Sequence, residues 1–154
     1  MTWTVLDPTP VGPLLLTAED DALTGLHFGG PPPSGAPSWS AVLRAAVEQL
    51  TEYFAGERQA FDVPLAPRGT PFQLAVWAEL RRIPYGTTVS YGELARRLGS
   101  PSAARAVGLA NGRNPIAIVV PCHRVIGADG SLTGFGGGMD AKRTLLDLET
   151  GTLF

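Results

Sequence analysis

The sequence predicts a mixed α/β (α+β) fold in which a small N-terminal sheet-and-helix part precedes a mostly helical C-terminal part. Three observations predict it. Short apolar or β-branched segments separated by turn residues fill the first 28 positions, apolar residues at three- and four-residue spacing follow, and helix-start signatures recur in the second half. The chain has 154 residues, 44% hydrophobic and 17% charged, enough apolar material for one compact domain or two small ones and too little for a multidomain machine.

Residues 3–6, 14–18 and 22–28 read as strands of a small antiparallel meander, divided by Pro/Gly and Asp-rich turns. A Pro/Gly loop over 29–37 follows. Trp39, Leu43, Ala46, Val47, Leu50 and Phe54 then mark an amphipathic helix that stops at Gly56 and should cover one face of the sheet. Residues 61–69 contain two prolines and a glycine and read as a linker, which places the division between residues 1–66 and 67–154. Thr70, Pro71 and Gln73 form a capping box with proline in the first turn, and the helix they start runs through Val76, Trp77 and Leu80 until Pro84. Ser90 to Glu93 repeats the box pattern ahead of a short helix over 91–98, closed by Gly99. After Ser100-Pro101 an alanine-rich helix spans 102–111. Two short helices around a glycine turn, the second presenting Arg105, make a helix-turn-helix pattern, though many proteins carry that pattern for packing alone.

The net charge of −2 conceals a division. Residues 1–66 hold two arginines and eight acids, whereas 67–154 hold ten basic groups and six acids. Within 81–124, seven arginines (81, 82, 96, 97, 105, 113 and 124) face the single acid Glu93, a balance that suits phosphate neutralisation better than an inert surface. The one cysteine, Cys122, closes no intrachain disulfide and supplies no multi-cysteine zinc site, and the N-terminus lacks a signal peptide pattern. No aliphatic run is long enough to span a bilayer. A cytoplasmic protein with no membrane association is expected.

The aliphatic run 116–120 reads as a buried strand that delivers Pro121-Cys122-His123-Arg124. For an arbitrary cysteine a structural role is the ordinary reading. Here the flanking His123 and Arg124 point to a nucleophile whose pKa they lower from about 8.5, with a water between imidazole and sulfur, since neighbours on a strand face opposite ways. The loop Gly134-Phe135-Gly136-Gly137-Gly138 matches neither nucleotide-binding fingerprint and reads as a flexible wall for a flat ligand. In the last helix, 140–150, Leu145, Leu146 and Leu148 face inward. Glu149 near its C-terminus opposes the helix dipole and calls for a partner such as a histidine.

Taken together, Pro121-Cys122-His123-Arg124-Val125, Ser90-Tyr91, residues Ser102 to Gly108, Asn114-Pro115, the glycine loop and Leu145-Leu146 to Glu149 resemble the O6-alkylguanine-DNA alkyltransferase family, in order and spacing over about residues 70–150. The N-terminal third is similar in general character to that family's ribonuclease-H-like α/β domain. The resemblance implies single-use repair: Cys122 accepts the alkyl group of O6-alkylguanine, and of O4-alkylthymine, as a thioether. By the same likeness His123 deprotonates Cys122 through a water, Glu149 orients the imidazole, Tyr91 donates a proton towards the departing guanine, and Asn114 braces two active-site segments. Val125, Phe135, Gly136 and Gly137 would wall the base. Arg105 would enter double-stranded DNA from the minor groove and replace the flipped nucleotide, with Ala103, Ala104 and Ala106 permitting close approach and Ser90, Arg124 and Lys142 adding DNA contacts. No cofactor and no metal are implied, and a monomer is the default.

Two positions depart from the family pattern. Phe135 stands where some members have tyrosine, and Ala117 where some have a proline that packs on the alkyl group, which implies a poorer grip on benzyl than on methyl adducts. Two other readings compete. A lesion-binding relative without transfer activity would lack the cysteine, and a thiol-sensing helix-turn-helix regulator gives no reason for Asn114, His123 and Glu149 together.

Overall fold

The computed structural model describes residues 1–132 and 135–151, so Gly134 of the glycine loop lies outside the described residues. Three antiparallel strands, β1 (Thr2–Leu6), β2 (Leu14–Glu19) and β3 (Ala22–Phe28), form the sheet in sequence order. The β2–β3 hairpin closes over Asp20 and Asp21 at φ +48° and +63°, the left-handed pair that a two-residue turn matching the strand twist requires and that Asp tolerates. Helix α1 (Ala41–Phe54), capped by the Ser40 hydroxyl, covers the sheet.

The buried stripe of α1 is Val42, Leu43, Ala46, Gln49, Leu50 and Tyr53, displaced from the predicted one. Trp39 precedes the cap and is exposed, with the Arg44 guanidinium 5.6 Å over its ring, while Val47 and Phe54 are half-buried. The displacement follows from polar groups that find partners inside: Gln49 bonds Asp62 of the following segment by both its amide atoms, and the Tyr53 hydroxyl reaches Glu149. A periodicity count ranks such residues as polar and so misses them.

The segment after α1 is attached to the sheet. Leu23 N–H donates to the Pro64 carbonyl (2.8 Å) and Ala66 N–H to the Leu23 carbonyl (2.9 Å), extending the free edge of β3. Helix α2 (Pro71–Leu80) begins with the predicted capping box, Thr70 Oγ1 accepting from Gln73 N and the Gln73 side chain accepting from Thr70 N. It ends at Leu80, ahead of Pro84. Helices α3 (Tyr91–Arg97) and α4 (Ala104–Gly112) form the helix-turn-helix, with α4 starting two residues later than predicted. Ser90 caps α3, but the Glu93 carboxylate completes no box: it pairs with Arg96 (2.7 Å) and Arg97 (3.3 Å), the guanidiniums three and four positions on. Strands β4 (Val89–Ser90) and β5 (Val125–Ile126) pair in parallel, and α5 (Met139–Thr150) closes the fold, with Leu145 and Leu148 buried and Leu146 only half-buried. One apolar core runs through both halves, from Leu16 and Leu26 of the sheet to Leu94, Val107 and Leu145. No described helix is long and apolar enough to cross a membrane.

The largest departure from the sequence reading is at 116–120, which is not a strand. Ile116 makes a single bridge to Leu26, Ala117 bridges Val120, and Ile118 turns the chain between them at φ +71°. Asn114 imposes this shape: its Oδ1 accepts from Ile116 N–H (3.0 Å) and its Nδ2 donates to the Val120 carbonyl (2.8 Å), closing a loop over the aliphatic run. The run is apolar because the loop is buried in the core, not because it lies in a ladder. A β-branched residue in the left-handed region costs about 1–3 kcal/mol, so the surrounding contacts must hold Ile118 there.

Replacing Thr70 by Ala removes the Oγ1 that accepts from Gln73 N–H and keeps the backbone N–H that donates to the Gln73 side chain, at an exposed position. The expected outcome is a loss of about 1 kcal/mol in urea unfolding, with an unchanged m-value.

Candidate active site

The loop over 114–120 delivers Cys122 into a 3₁₀ turn, Cys122–Arg124, rather than to the end of a strand. Cys122 N–H donates to the Val120 carbonyl (2.8 Å) and Arg124 N–H to the Pro121 carbonyl (3.0 Å). From the other side, Leu26 N–H donates to the Pro115 carbonyl and Ala117 N–H to the Leu26 carbonyl, so the loop that carries Cys122 hangs on β3. Asn111 in the last turn of α4 donates to the Cys122 carbonyl (3.4 Å), and α4 is itself tied to α2 by Trp77 Nε1–H to the Ala110 carbonyl (2.9 Å).

Burial pushes the Cys122 thiol up, against the lowering effects of an Asn114 hydrogen bond and the Lys142 charge. This corrects the expectation of a thiol acidified by its neighbours: the resting group is a protonated thiol, and reaction requires a base.

An imidazole is adjacent in sequence. His123 is fully buried, and its Nε2 lies 2.7 Å from Glu149 Oε2. Burial lowers the imidazole pKa more than the carboxylate raises it, with Arg124 and Lys142 also lowering it, so the pair is a neutral imidazole donating to a carboxylate rather than two ions. With Nε2–H directed at Glu149, Nδ1 keeps its lone pair, and Nδ1 is buried without a hydrogen-bond partner among the described residues.

Glu149 has the partner its place on α5 calls for, and more. Arg124 binds it bidentately, Nε to Oε1 (2.8 Å) and Nη2 to Oε2 (2.9 Å), while its Nη1 donates to the Ile83 carbonyl (2.7 Å). Tyr53 O–H donates to Oε2 (2.6 Å) and Gly86 N–H to Oε1 (3.4 Å). Burial works against the ionised carboxylate, but the hydrogen bonds from His123 and Arg124 and the Arg124 charge outweigh it and hold its pKa at about 2.

Two residues expected on a DNA face are interior. Arg124 is buried against Glu149, with its guanidinium 5.8 Å over the Tyr85 ring. Lys142 is fully buried and donates to the Val125 carbonyl (2.7 Å), its pKa lowered by burial. The run of arginines is also less unopposed than its count implies, since Arg96 and Arg97 pair with Glu93 and Arg82 lies 4.0 Å from Glu79.

Cys122 borders a cavity of about 280 Å³ walled by Leu26, Phe28, Asn111, Asn114, Ala117, Phe135 and Gly136, with His27 at its margin. Phe28 and Phe135 meet edge to face at 5.2 Å, and Gly137 lies so close to Phe28 that a Cβ there would sit 2.6 Å from its ring. Beside the cavity runs an open groove lined by Tyr91, Ala104, Arg105, Gly108, Leu109 and Arg113. The two share Gly112, Phe135 and Gly136, so a group entering from the groove passes Phe135 to reach Cys122. Arg105 and Ala106 are exposed, Ala103, Ala104, Ser90 and Tyr91 half-buried, and Val125 buried. The sequence reading missed Tyr53, Asn111 and the β3 wall, because each joins the site across 11 to about 96 positions and none belongs to a recognisable motif. Among the described residues no group of three or more His, Cys, Asp or Glu side chains is placed to hold a metal ion.

A buried thiol, a neutral imidazole fixed by a carboxylate, and a cavity opening onto a helix-turn-helix groove define a nucleophilic site within reach of a docked polymer. The comparisons with known proteins agree with that class. Residues 71–151 match the model for the 6-O-methylguanine DNA methyltransferase DNA-binding domain, and residues 1–67 the model for its ribonuclease-like domain. The chain therefore belongs to the 6-O-methylguanine DNA methyltransferase family. It is 53% identical to the methylated-DNA–protein-cysteine methyltransferase of Methanosarcina acetivorans, covering 92% of this chain and 94% of that protein. It is 56% identical to the protein of the same name from Mycolicibacterium paratuberculosis, covering 92% and 88%. The crystal structure of Mycobacterium tuberculosis OGT in complex with DNA superposes with a TM-score of 0.90 at 52% identity, covering 99% of this chain and 94% of that one.

Glu149→Gln leaves the Arg124 charge buried without its counter-ion and is expected to cost about 3–5 kcal/mol in chemical unfolding. Because the folded carboxyl titrates at about 2, below its ordinary 4.5, its contribution is complete above 4.5 and declines as pH falls towards 2. Stability measured across that window should fall less steeply in the variant than in the parent.

Proposed function

We propose that this chain is a methylated-DNA–protein-cysteine methyltransferase that repairs O6-alkylguanine, and O4-alkylthymine, by irreversible transfer of the alkyl group to Cys122. The observation that carries the reading is the buried His123 Nδ1, without a hydrogen-bond partner among the described residues, on a neutral imidazole whose other nitrogen is fixed by Glu149, next in sequence to a thiol that burial keeps protonated. Through one water, His123 Nδ1 takes the Cys122 proton, and Glu149 holds the resulting imidazolium. The thiolate attacks the alkyl carbon in line with the guanine O6, forming the S–C bond as the C–O bond breaks. Tyr91, on the groove side of Phe135, donates a proton to the departing guanine, which leaves the base neutral. Asn114 holds the loop that presents Cys122, and Val125, Phe135, Gly136 and Gly137 border the base. Every cycle consumes one protein molecule, because a thioether is not hydrolysed.

The target atom lies inside the base stack, so the nucleotide must be flipped out to reach a cavity of this kind. The exposed Arg105 on α4 takes its place in the duplex, entering from the minor groove, where Ala103, Ala104 and Ala106 keep the helix surface low enough for close approach. Ser90 and the exposed Arg113 add contacts beside it, whereas Arg124 and Lys142 act from the interior. Residues 67–154 carry catalysis and DNA binding, and residues 1–66 support them. The protein acts as a monomer in the cytoplasm, where a lone thiol stays reduced. Cys122 itself disfavours the lesion-binding reading, and the joined His123–Glu149–Arg124 cluster disfavours the thiol-sensing one.

The test is intact-protein mass after incubation with a duplex containing O6-methylguanine. One methyl increment confined to the Cys122 peptide, with unmodified guanine left in the DNA, is the expected outcome; no increment, or more than one lesion repaired per protein, overturns the proposal. Cys122→Ser should abolish transfer and retain duplex binding. Arg105→Ala should weaken binding and slow transfer by about tenfold or more, the equivalent of at least ~1.4 kcal/mol, and an unchanged rate excludes the flipping role.

A further inference from the structure

We propose that Tyr53, on the helix that covers the N-terminal sheet, is a positioning residue of the transfer reaction: its hydroxyl sets the basicity of the Glu149 oxygen to which His123 is bonded. This inference rests on the proposed roles of Cys122 and His123. Tyr53 is fully buried, and its O–H donates to Glu149 Oε2 at 2.6 Å across 96 residues of sequence. That oxygen is the one His123 Nε2–H reaches at 2.7 Å, and Arg124 Nη2 shares it at 2.9 Å. The phenol ring is packed against three others, Phe61 at 5.4 Å, Phe54 at 5.4 Å and Tyr85 edge-on at 6.2 Å, which hold its oxygen at Glu149.

A buried tyrosine in an apolar setting needs one hydrogen-bond partner, and a backbone carbonyl would serve. Here the partner is a carboxylate that already has a bidentate guanidinium and an imidazole. Each donor on Oε2 withdraws electron density from it, and with less density there the imidazolium of His123 is less stabilised. The hydroxyl of Tyr53 therefore tunes the imidazole downward and keeps it a free base at neutral pH. Other charged or titratable groups also face this cluster: Arg124 on the turn, Tyr85 after α2, Lys142 on α5 and the thiol itself. Among the described residues that donate to Glu149 only Tyr53 comes from the N-terminal part, whose other contribution to the site is the apolar wall of Leu26 and Phe28.

Tyr53→Phe keeps the ring and removes the donor. The ionisation of His123 is followed by NMR of the labelled imidazole in the full chain, and single-turnover methyl transfer is measured from about pH 4 to 9, a range that extends well below ordinary histidine titration, about 6.5, because burial lowers this imidazole. The expected result is an upward move of about half to one pH unit in both the His123 titration and the acidic limb of the rate profile. At a pH below the limb this is a rate about three- to tenfold lower. A merely structural tyrosine would lower the unfolding temperature and leave both curves in place. Incorporation of 3-fluorotyrosine at position 53, a more acidic and stronger donor, should move both curves the opposite way. Should Tyr53→Phe fail to fold, the fluorotyrosine protein decides: a downward shift supports the inference and superimposable curves overturn it. Superimposable curves in a protein whose Cys122 is still methylated overturn the role of Tyr53 and leave the transfer reading intact. A wild-type protein that takes up no methyl group overturns both.

Discussion

The Glu149 carboxylate is the point on which the rest of the structure turns. An ionised carboxylate in a protein interior is strongly disfavoured unless its lone pairs are occupied. Glu149 receives Arg124 on both oxygens, His123 and Tyr53 on one and the Gly86 amide on the other. These donors arrive from α1, from the segment after α2 and from the turn that carries Cys122, so satisfying one buried charge brings three separate stretches of chain to α5. The same satisfaction lowers its pKa to about 2, which makes it a fixed anion at any physiological pH. A fixed anion gives His123 one tautomer and one orientation.

A second constraint works on the loop that precedes the turn. Asn114 folds the aliphatic run 116–120 back on itself, while backbone bonds from Leu26 fasten that run to β3. The sheet is thus a platform to which the nucleophile is attached as well as a separate layer of core. Phe28, two residues beyond Leu26, reaches the Cys122 cavity and meets Phe135 from the other side. The wall that a flat base would lie against is therefore made jointly by the two halves of the chain, which accounts for one continuous core in place of two.

The sequence made the local devices legible and the long-range ones invisible. Caps at Thr70 and Ser90, the three strands and the order of helices depend on neighbours within a few residues, and they stand where spacing and residue type place them. The need of Glu149 for a histidine was readable from its position against the helix dipole. The strand assigned to 116–120 failed because burial and β-branching look alike in a ladder and in a buried loop, and the Asn114 side chain that distinguishes them acts outside the run. Charge count puts Arg124 on a phosphate-binding face and the family resemblance puts Lys142 beside DNA, and neither carries information about burial. An arginine two residues from a nucleophile serves equally well as a phosphate contact or as the counter-ion of an interior acid, and the acid in question lies 25 residues on. Tyr53 gave no signal at all, since one tyrosine in an amphipathic helix is ordinary and its partner is 96 positions away.

The direction of the Cys122 shift bears on how a single-use nucleophile should be kept. A thiolate at rest is open to oxidation and to stray electrophiles, and for a protein that reacts once either event is final. Burial that raises the thiol pKa protects against both, at the cost of nucleophilicity in the resting state. The proposed arrangement resolves the conflict by separating storage from activation. The desolvation that holds the proton on sulfur also keeps His123 neutral and able to take it, while Asn114 and Lys142 favour the thiolate once the proton has moved. Activation then depends on proton transfer along a fixed path, not on a standing population of thiolate, and a substrate that does not bring an alkyl carbon to the sulfur leaves the resting thiol unchanged. On this reading the interior positions of Arg124 and Lys142 matter more to the chemistry than surface positions would. One anchors the anion that orients the base, and the other places a positive charge where sulfur becomes negative.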